Sequence, residues 1–430
     1  MNIFFVSLGC DKNRVDSEEM LGLLAASGFS FCNDEHDADI IVVNTCCFID
    51  PAKEESIEAI LEMARMKQEG KCKRLIVTGC LAERYRSEII GEIPEIDDIV
   101  GVSELEKIIT ACRPDEEQPV PSGTQRVITT AGHYEFLKIA EGCSKRCTYC
   151  IIPYVRGNYR SFPMEELISE AEYLAANGVK ELIIVAQETT IYGQDLYGYD
   201  ALPQLLTNLC RIEGIRWIRL LYAYPEDITD ELLDVMAKED KIVKYIDMPI
   251  QHSSDRILKR MGRRTSHDDL ISIIRKVREV LPGVTLRTSL ISGFPGESEE
   301  DHQELMDFVK EIGFDRLGVF SYSQEEGTPA AKFTDQIPED IRDERREQIM
   351  QLQEKISEEK LKDNLGRDFE VIIEGYLPDD DVYVGRTYMD APDVDGFFYV
   401  RSDRQLMTGD IVNALCAGSS QYDLYGDLTV

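Results

Sequence analysis

Glu141-Gly-Cys-Ser-Lys-Arg-Cys-Thr-Tyr-Cys150 decides how this chain is read. Its cysteines, Cys143, Cys147 and Cys150, stand in C-x3-C-x2-C spacing, and the next cysteine is Cys210. Three thiolates on one short loop can hold three corners of a cubic iron–sulfur cluster and leave the fourth iron open to a small molecule. A zinc site and free thiols are the other readings. Structural zinc takes four protein ligands, and no His or Cys lies close enough in sequence to be the fourth. The run before the loop, residues 136–140, is apolar and strand-like, so the cysteines leave the carboxyl end of a strand.

Five more strand-like runs follow, at 181–186, 217–222, 245–248, 285–292 and 316–321. Helical patterns separate most of them, at 164–176, 230–237, 267–280 and 299–312. Six βα units predict a partial barrel with its active site on the loops at the strands' carboxyl ends. A charged stretch at 338–364 places Ile349, Leu352 and Ile356 on one helical face. It reads as a closing helix of the barrel or a bridge to the next unit, and Gly366 ends it.

Upstream, apolar runs at 3–9, 39–45 and 74–79 alternate with helical patterns at 17–26 and 54–68. This rhythm predicts a Rossmann-like parallel sheet. Cys10, Cys46 and Cys80 each follow one of these strands, and the carboxyl ends of parallel strands share one edge. By spacing alone the three are ordinary buried thiols; by placement they converge. Cys47 adjoins Cys46 and competes with it; adjacent strand residues point to opposite sides, and the Asn-Thr-Cys pattern at 44–46 favours Cys46. Cys32, Cys72, Cys112, Cys210 and Cys416 carry no motif and read as ordinary thiols. A Pro- and Glu-rich stretch at 113–124 reads as a linker. Short runs at 369–374, 382–386, 397–400 and 410–416 predict a small β-barrel. The expected fold is α/β, in three units: residues 1–117, 129–366 and 367–430.

The chain has 430 residues and a net charge of −34, with 81 acidic against 47 basic side chains. Such an acidic surface repels bare phosphate, which argues against direct nucleic-acid binding, and attracts basic partners. Residues 367–430 alone hold thirteen acidic and four basic residues. No apolar run approaches the length of a membrane span, and the N-terminus reads as a buried strand rather than a signal peptide. The twelve cysteines are therefore expected in the reducing cytoplasm, where metal ligation is favoured over disulfides.

The cysteine loop, with an aromatic before its last cysteine, resembles the radical S-adenosylmethionine (SAM) superfamily. The resemblance implies a [4Fe-4S] cluster on Cys143, Cys147 and Cys150. SAM would chelate its open iron, and an electron from the cluster would release a 5′-deoxyadenosyl radical. It places Tyr149 against the adenine with Ile291 and Gly293 nearby, and Glu188 of Gln187-Glu-Thr-Thr190 on the SAM amino group. Met248-Pro-Ile-Gln-His252 and Arg287 belong to other strand ends of the same mouth.

Leu8-Gly-Cys-Asp-Lys-Asn-Arg-Val-Asp-Ser-Glu18, Val43-Asn-Thr-Cys46 and Thr78-Gly-Cys80 resemble the amino-terminal domain of methylthiotransferases. Together with the radical SAM core and a TRAM-type terminal barrel, the resemblance covers essentially the whole chain. It implies a second [4Fe-4S] cluster on Cys10, Cys46 and Cys80. One branch of that family modifies adenosine in transfer RNA; another modifies an aspartate of ribosomal small-subunit protein twelve. The continuation after Cys10 and the acidic terminal unit favour the protein substrate, a basic ribosomal protein. An electron-donor protein is a further expected partner. The two clusters must face each other, so the first unit is expected to fold over the barrel mouth.

Overall fold

The computed structural model describes residues 1–115, 119–121, 123 and 125–429. The expected boundary at 117, part of the 113–124 linker and residue 430 lie outside the described residues.

Strands β1 (Asn2–Ser7), β2 (Ser30–Phe31), β3 (Ile40–Thr45), β4 (Arg74–Gly79) and β5 (Asp98–Val100) form a parallel sheet in the order β2-β1-β3-β4-β5. Successive side chains of a strand point to opposite faces. Ile40 and Val42 pack with Met20 and Leu24 of helix Asp11–Ala26. Ile41 and Val43 pack with Ile60 and Met63 of helix Asp50–Glu69. Helices thus cover both faces, which explains the unbroken apolar runs of β3 and β4. The first helix begins at Asp11, not at 17, with Cys10 as its N-cap. β2 and β5 are too short to show alternation in sequence.

The middle of the chain supplies β6 (Tyr134–Lys138), β7 (Ala140–Glu141), β8 (Arg160–Ser161), β9 (Glu181–Val185), β10 (Trp217–Leu220), β11 (Ile242–Asp247), β12 (Thr285–Ser292) and β13 (Arg316–Ser321). Six of these form an arc, β13-β12-β11-β10-β9-β6, with every neighbouring pair parallel. β13 and β6 do not pair, so the barrel stays open on one side. The strand expected at 136–140 is split. β6 stops at Lys138, and Ala140–Glu141 pairs antiparallel with Arg160–Ser161. That small clasp closes the base of the cysteine loop.

Strands β14 (Asp368–Leu377), β15 (Val382–Arg386), β16 (Phe398–Arg401), β17 (Ile411–Ser419) and β18 (Leu424–Leu428) close into a barrel, β14-β15-β16-β18-β17. Phe369, Val371, Ile373, Phe398 and Val400 fill it. β18, interrupted by Gly426, carries no strong strand pattern and was not expected. Helix Glu339–Lys362 fills both roles foreseen for it: it packs on β12 and β13 and touches β17.

The loop after β15 corrects the charge reading. Asp390 bonds to Arg316 (2.5 Å), and Asp395 accepts from Tyr245 Oη (2.6 Å). Arg386, wholly buried, pairs with Glu181 (2.8 Å), while Arg219 donates to the Tyr388 carbonyl (2.8 Å). Two of the acidic groups expected to attract a partner are therefore spent inside the chain, anchoring the terminal barrel to the arc. Among the described residues no helix is long and apolar enough to cross a membrane.

Candidate active site

Cys10, Cys46 and Cys80 meet at the carboxyl edge of the first sheet, and two glycines make this possible. Gly9 has φ +94°, and a Cβ there would lie 2.8 Å from Cys46 Cβ and 3.1 Å from Cys46 Sγ. Gly79 has φ +90°, and a Cβ there would lie 2.3 Å from Asn44 Oδ1 and 2.4 Å from the Thr45 carbonyl. Only glycine accepts both the left-handed backbone and the approach. Asn44 Nδ2 donates to the Asn13 carbonyl (2.9 Å) and Ser17 Oγ (2.7 Å), so the edge is cross-braced to the helix that Cys10 caps. Cys46 Sγ faces Gly9, whereas Cys47 is sunk in the apolar core under helix Asp50–Glu69.

The second trio sits on the loop after β7. The Thr148 N–H donates to the Met261 carbonyl (2.8 Å), the Ala330 N–H to the Thr148 carbonyl (2.9 Å), and the Cys143 N–H to the Gly157 carbonyl (3.1 Å). Burial pushes two thiols up, Cys143 to about 11 and Cys150 to about 12. Such thiols ionise when a cation replaces the lost water, as metal ligands do.

Sulfur spacing bears on the zinc alternative. Tetrahedral zinc with bonds of about 2.3 Å would bring its sulfurs to roughly 3.8 Å of one another. Among the described residues, the only group of His, Cys, Asp or Glu whose ligand atoms all lie within 4.8 Å is the exposed Asp34, Glu35 and His36. Neither trio brings three ligand atoms that close together. The all-thiol donor set fits a cube capped at separate corners.

The residues expected around SAM come together beside the second trio. Tyr149 and Ile291 both pack against the cluster of Met261, Phe294 and Tyr322. Gly293, with φ +69°, leaves no room for a Cβ against Arg342, and its N–H donates to Glu297 (2.8 Å). Glu188 is wholly buried, 3.2 Å from Lys145 of the cysteine loop. Burial pushes it up to about 8 despite that lysine, and its Oε2 has no hydrogen-bond partner. An arriving ammonium group favours the ionised form that burial disfavours, so this buried acid with a spare acceptor is suited to such a partner. Tyr222 (φ 58°) and Gln251 (φ 73°) hold left-handed backbone at adjacent strand ends, where functional sites concentrate strain.

The first unit covers the barrel mouth, as the two-centre expectation requires. Lys138 of β6 binds Asp16 of the first helix, and Lys12 stands 3.4 Å over the Tyr222 ring. On the other side of the mouth, Glu325 holds Lys53 and Arg84. Sequence reasoning missed Arg156, which bridges both cysteine regions, and Glu325. Each is a lone charged residue without a motif, and only its tertiary partners reveal it. Lys145 stands inside the cysteine motif, but its pairing with Glu188 shows only in the fold.

A family model described as an uncharacterized protein family, UPF0004, matches residues 2–101. The radical SAM superfamily model matches residues 137–309, and the TRAM domain model 365–429. A solved radical SAM methyltransferase, TsrM from Kitasatospora setae, superposes with a TM-score of 0.56 over 76% of this chain and 73% of its own at 15% identity, a likeness of fold alone. Open arc, cysteine loop and matches together define a radical SAM enzyme carrying a cysteine-bearing first domain and a TRAM barrel. Proteins named ribosomal protein uS12 methylthiotransferase RimO are similar over almost their whole length. That of Lachnoclostridium phytofermentans is 54% identical (99% of each chain), and that of Acetivibrio thermocellus 49% (98% of this chain, 97% of its own). That of Clostridioides difficile is 47% identical, over 100% of this chain and 99% of its own. This chain belongs to the ribosomal protein uS12 methylthiotransferase RimO family.

Proposed function

We propose that this chain methylthiolates the β-carbon of an aspartate in ribosomal protein uS12. It would do so with SAM and two [4Fe-4S] clusters, one on Cys10, Cys46 and Cys80 and one on Cys143, Cys147 and Cys150. The single observation that carries this reading is the placement of both trios beside strand carboxyl ends, joined across the seam between the first sheet and the barrel by Arg156 and Lys138. Bound there, the clusters and SAM supply a carbon-centred radical and an activated methylated sulfur, which an aspartate C–H bond lacking acidity and a leaving group requires.

The chain's own residues bind and orient. Glu188, offering a free buried oxygen, takes the SAM amino group; Tyr149, Ile291 and Gly293 line the adenine. The lid formed by the first unit excludes water from a radical that would otherwise be quenched. The proposed units are 1–117 for the sulfur-bearing domain, 129–366 for the radical core and 367–430 for the terminal barrel. Asp379, Asp380 and Asp381 at the tip of that barrel remain exposed to a basic protein. A cytoplasmic location and a separate electron-donor protein complete the proposal. Reconstituted protein given dithionite, SAM and uS12 should form 5′-deoxyadenosine and methylthio-uS12; absence of the nucleoside would overturn the radical reading.

A further inference from the structure

Arg156 follows the short helix Ile152–Val155 beyond the cysteine loop. It is buried at 6% exposure, yet all three guanidinium nitrogens are bonded, Nε and Nη2 across the seam and Nη1 within the barrel unit. Nε donates to Cys80 Sγ at 3.2 Å. Nη1 donates to both Glu141 oxygens at 3.0 Å. Nη2 donates to Asn13 Oδ1 at 3.1 Å and lies 3.0 Å from Asp16 Oδ2.

The partners lead back to both trios. Cys80 belongs to the first. Asn13, one turn after Cys10, donates its amide to the Leu8 carbonyl just before Cys10 and to the Thr45 carbonyl just before Cys46 (3.4 Å). Glu141 precedes Cys143, accepts the Gly142 N–H (3.1 Å), and accepts from Gln187 (2.9 Å), the neighbour of Glu188. One planar fork therefore touches the positioning groups of the sulfur-bearing edge and of the SAM loop together. Lys138 already pairs with Asp16 and Glu141, so neutralising these acids does not by itself explain why Nε is turned to a sulfur. A guanidinium can span four partners in fixed directions; an ammonium cannot.

We infer that Arg156 is a positioning residue that fixes the separation of the two cysteine centres and, by its hydrogen bond to Cys80, raises the reduction potential of the first. This rests on the two-cluster reading above. Hydrogen bonds and positive charge at a ligand sulfur stabilise the reduced, more negative form of a cluster.

The test uses the full-length holoenzyme as wild type, Arg156→Gln and Arg156→Lys. Potentiometry followed by electron paramagnetic resonance separates the centres, because SAM perturbs only the signal of the centre that binds it. Arg156→Gln should shift the first centre to a more negative potential. The fraction of cleaved SAM recovered as methylthio product should fall by about tenfold or more, as for other supports of metal ligands. Arg156→Lys should recover part of the potential but not the coupling. Should Arg156→Gln lose iron, Arg156→Lys carries the test, and wild-type potential and coupling in it would overturn the inference. Unchanged potential and coupling in both variants would do the same. A wild type with one cluster would overturn the two-cluster reading as well, so the two failures are distinguishable.

Discussion

Arg84 Nη1 lies 3.1 Å from Glu325 Oε2, tying the helix that begins at Cys80 to the loop after the last barrel strand. Lys53 meets the same oxygen at 2.9 Å, and the Glu325 side chain is 3% exposed. Glu325→Ala would leave the sheltered Arg84 without its anion and Lys53 with Asp50 alone, at a cost of about 3 kcal/mol. Thermal denaturation should show the loss. Amide exchange should quicken in helix Asp50–Glu69, and SAM cleavage should continue with less of it captured as product. Unchanged exchange in that helix would show that the contact does not hold the lid.

Gly79→Ala should damage one centre selectively. The added Cβ meets Asn44 and the Thr45 backbone, neither of which can retreat without moving the edge that carries Cys46. Iron content should drop from about eight per chain towards about four, with the cysteine loop of the barrel still loaded. Full iron content in this variant would mean that Cys80 needs no such close approach.

Asp301 supplies a pH-dependent contribution away from both centres. Burial opposes its ionisation, but hydrogen bonds from Ser254, Arg256 and Ser298 outweigh it and hold the carboxyl well below the usual range. A depressed carboxyl stabilises the fold above its unfolded pKa of about 3.9, and that contribution is lost as pH falls through the lower folded value. Asp301→Ala should lose about 2 kcal/mol at neutral pH. The gap to wild type should shrink below about pH 4, as urea melts across pH would show.

The arc and the parallel sheet were legible in the sequence because they follow from apolar runs; the Cys143, Cys147 and Cys150 loop stood out by its local spacing, whereas Cys10, Cys46 and Cys80 stood out only by their place after successive strands. Helix Asp11–Ala26 was half hidden for a physical reason. Lys12, Asn13, Asp16 and Glu18 are buried through contacts of their polar groups outside the first unit, and Ser17 through Ser7 and Asn44 of the first sheet; a face buried by polar contacts leaves no apolar period to read. The same holds for Asp390 and Asp395, which look like solvated acids until Arg316 and Tyr245 are brought to them from other strands. Arg156 needed the tertiary fold outright, since its partners come from residues 13, 16, 80 and 141.

Two cysteine substitutions separate the proposed labours of the centres. Cys147→Ala should abolish 5′-deoxyadenosine formation. Cys80→Ala should leave cleavage in place while methylthio transfer falls below detection, read by chromatography of the nucleoside and mass spectrometry of the protein. Loss of both activities in Cys80→Ala would contradict the division.

The most direct test of the whole account is tandem mass spectrometry of uS12 after incubation, in the presence of transfer RNA, with the reconstituted enzyme, SAM and reductant. The account predicts one methylthio group on the β-carbon of a single aspartate. Unmodified uS12, with the methylthio group found instead on adenosine of transfer RNA in the same mixture, would contradict it.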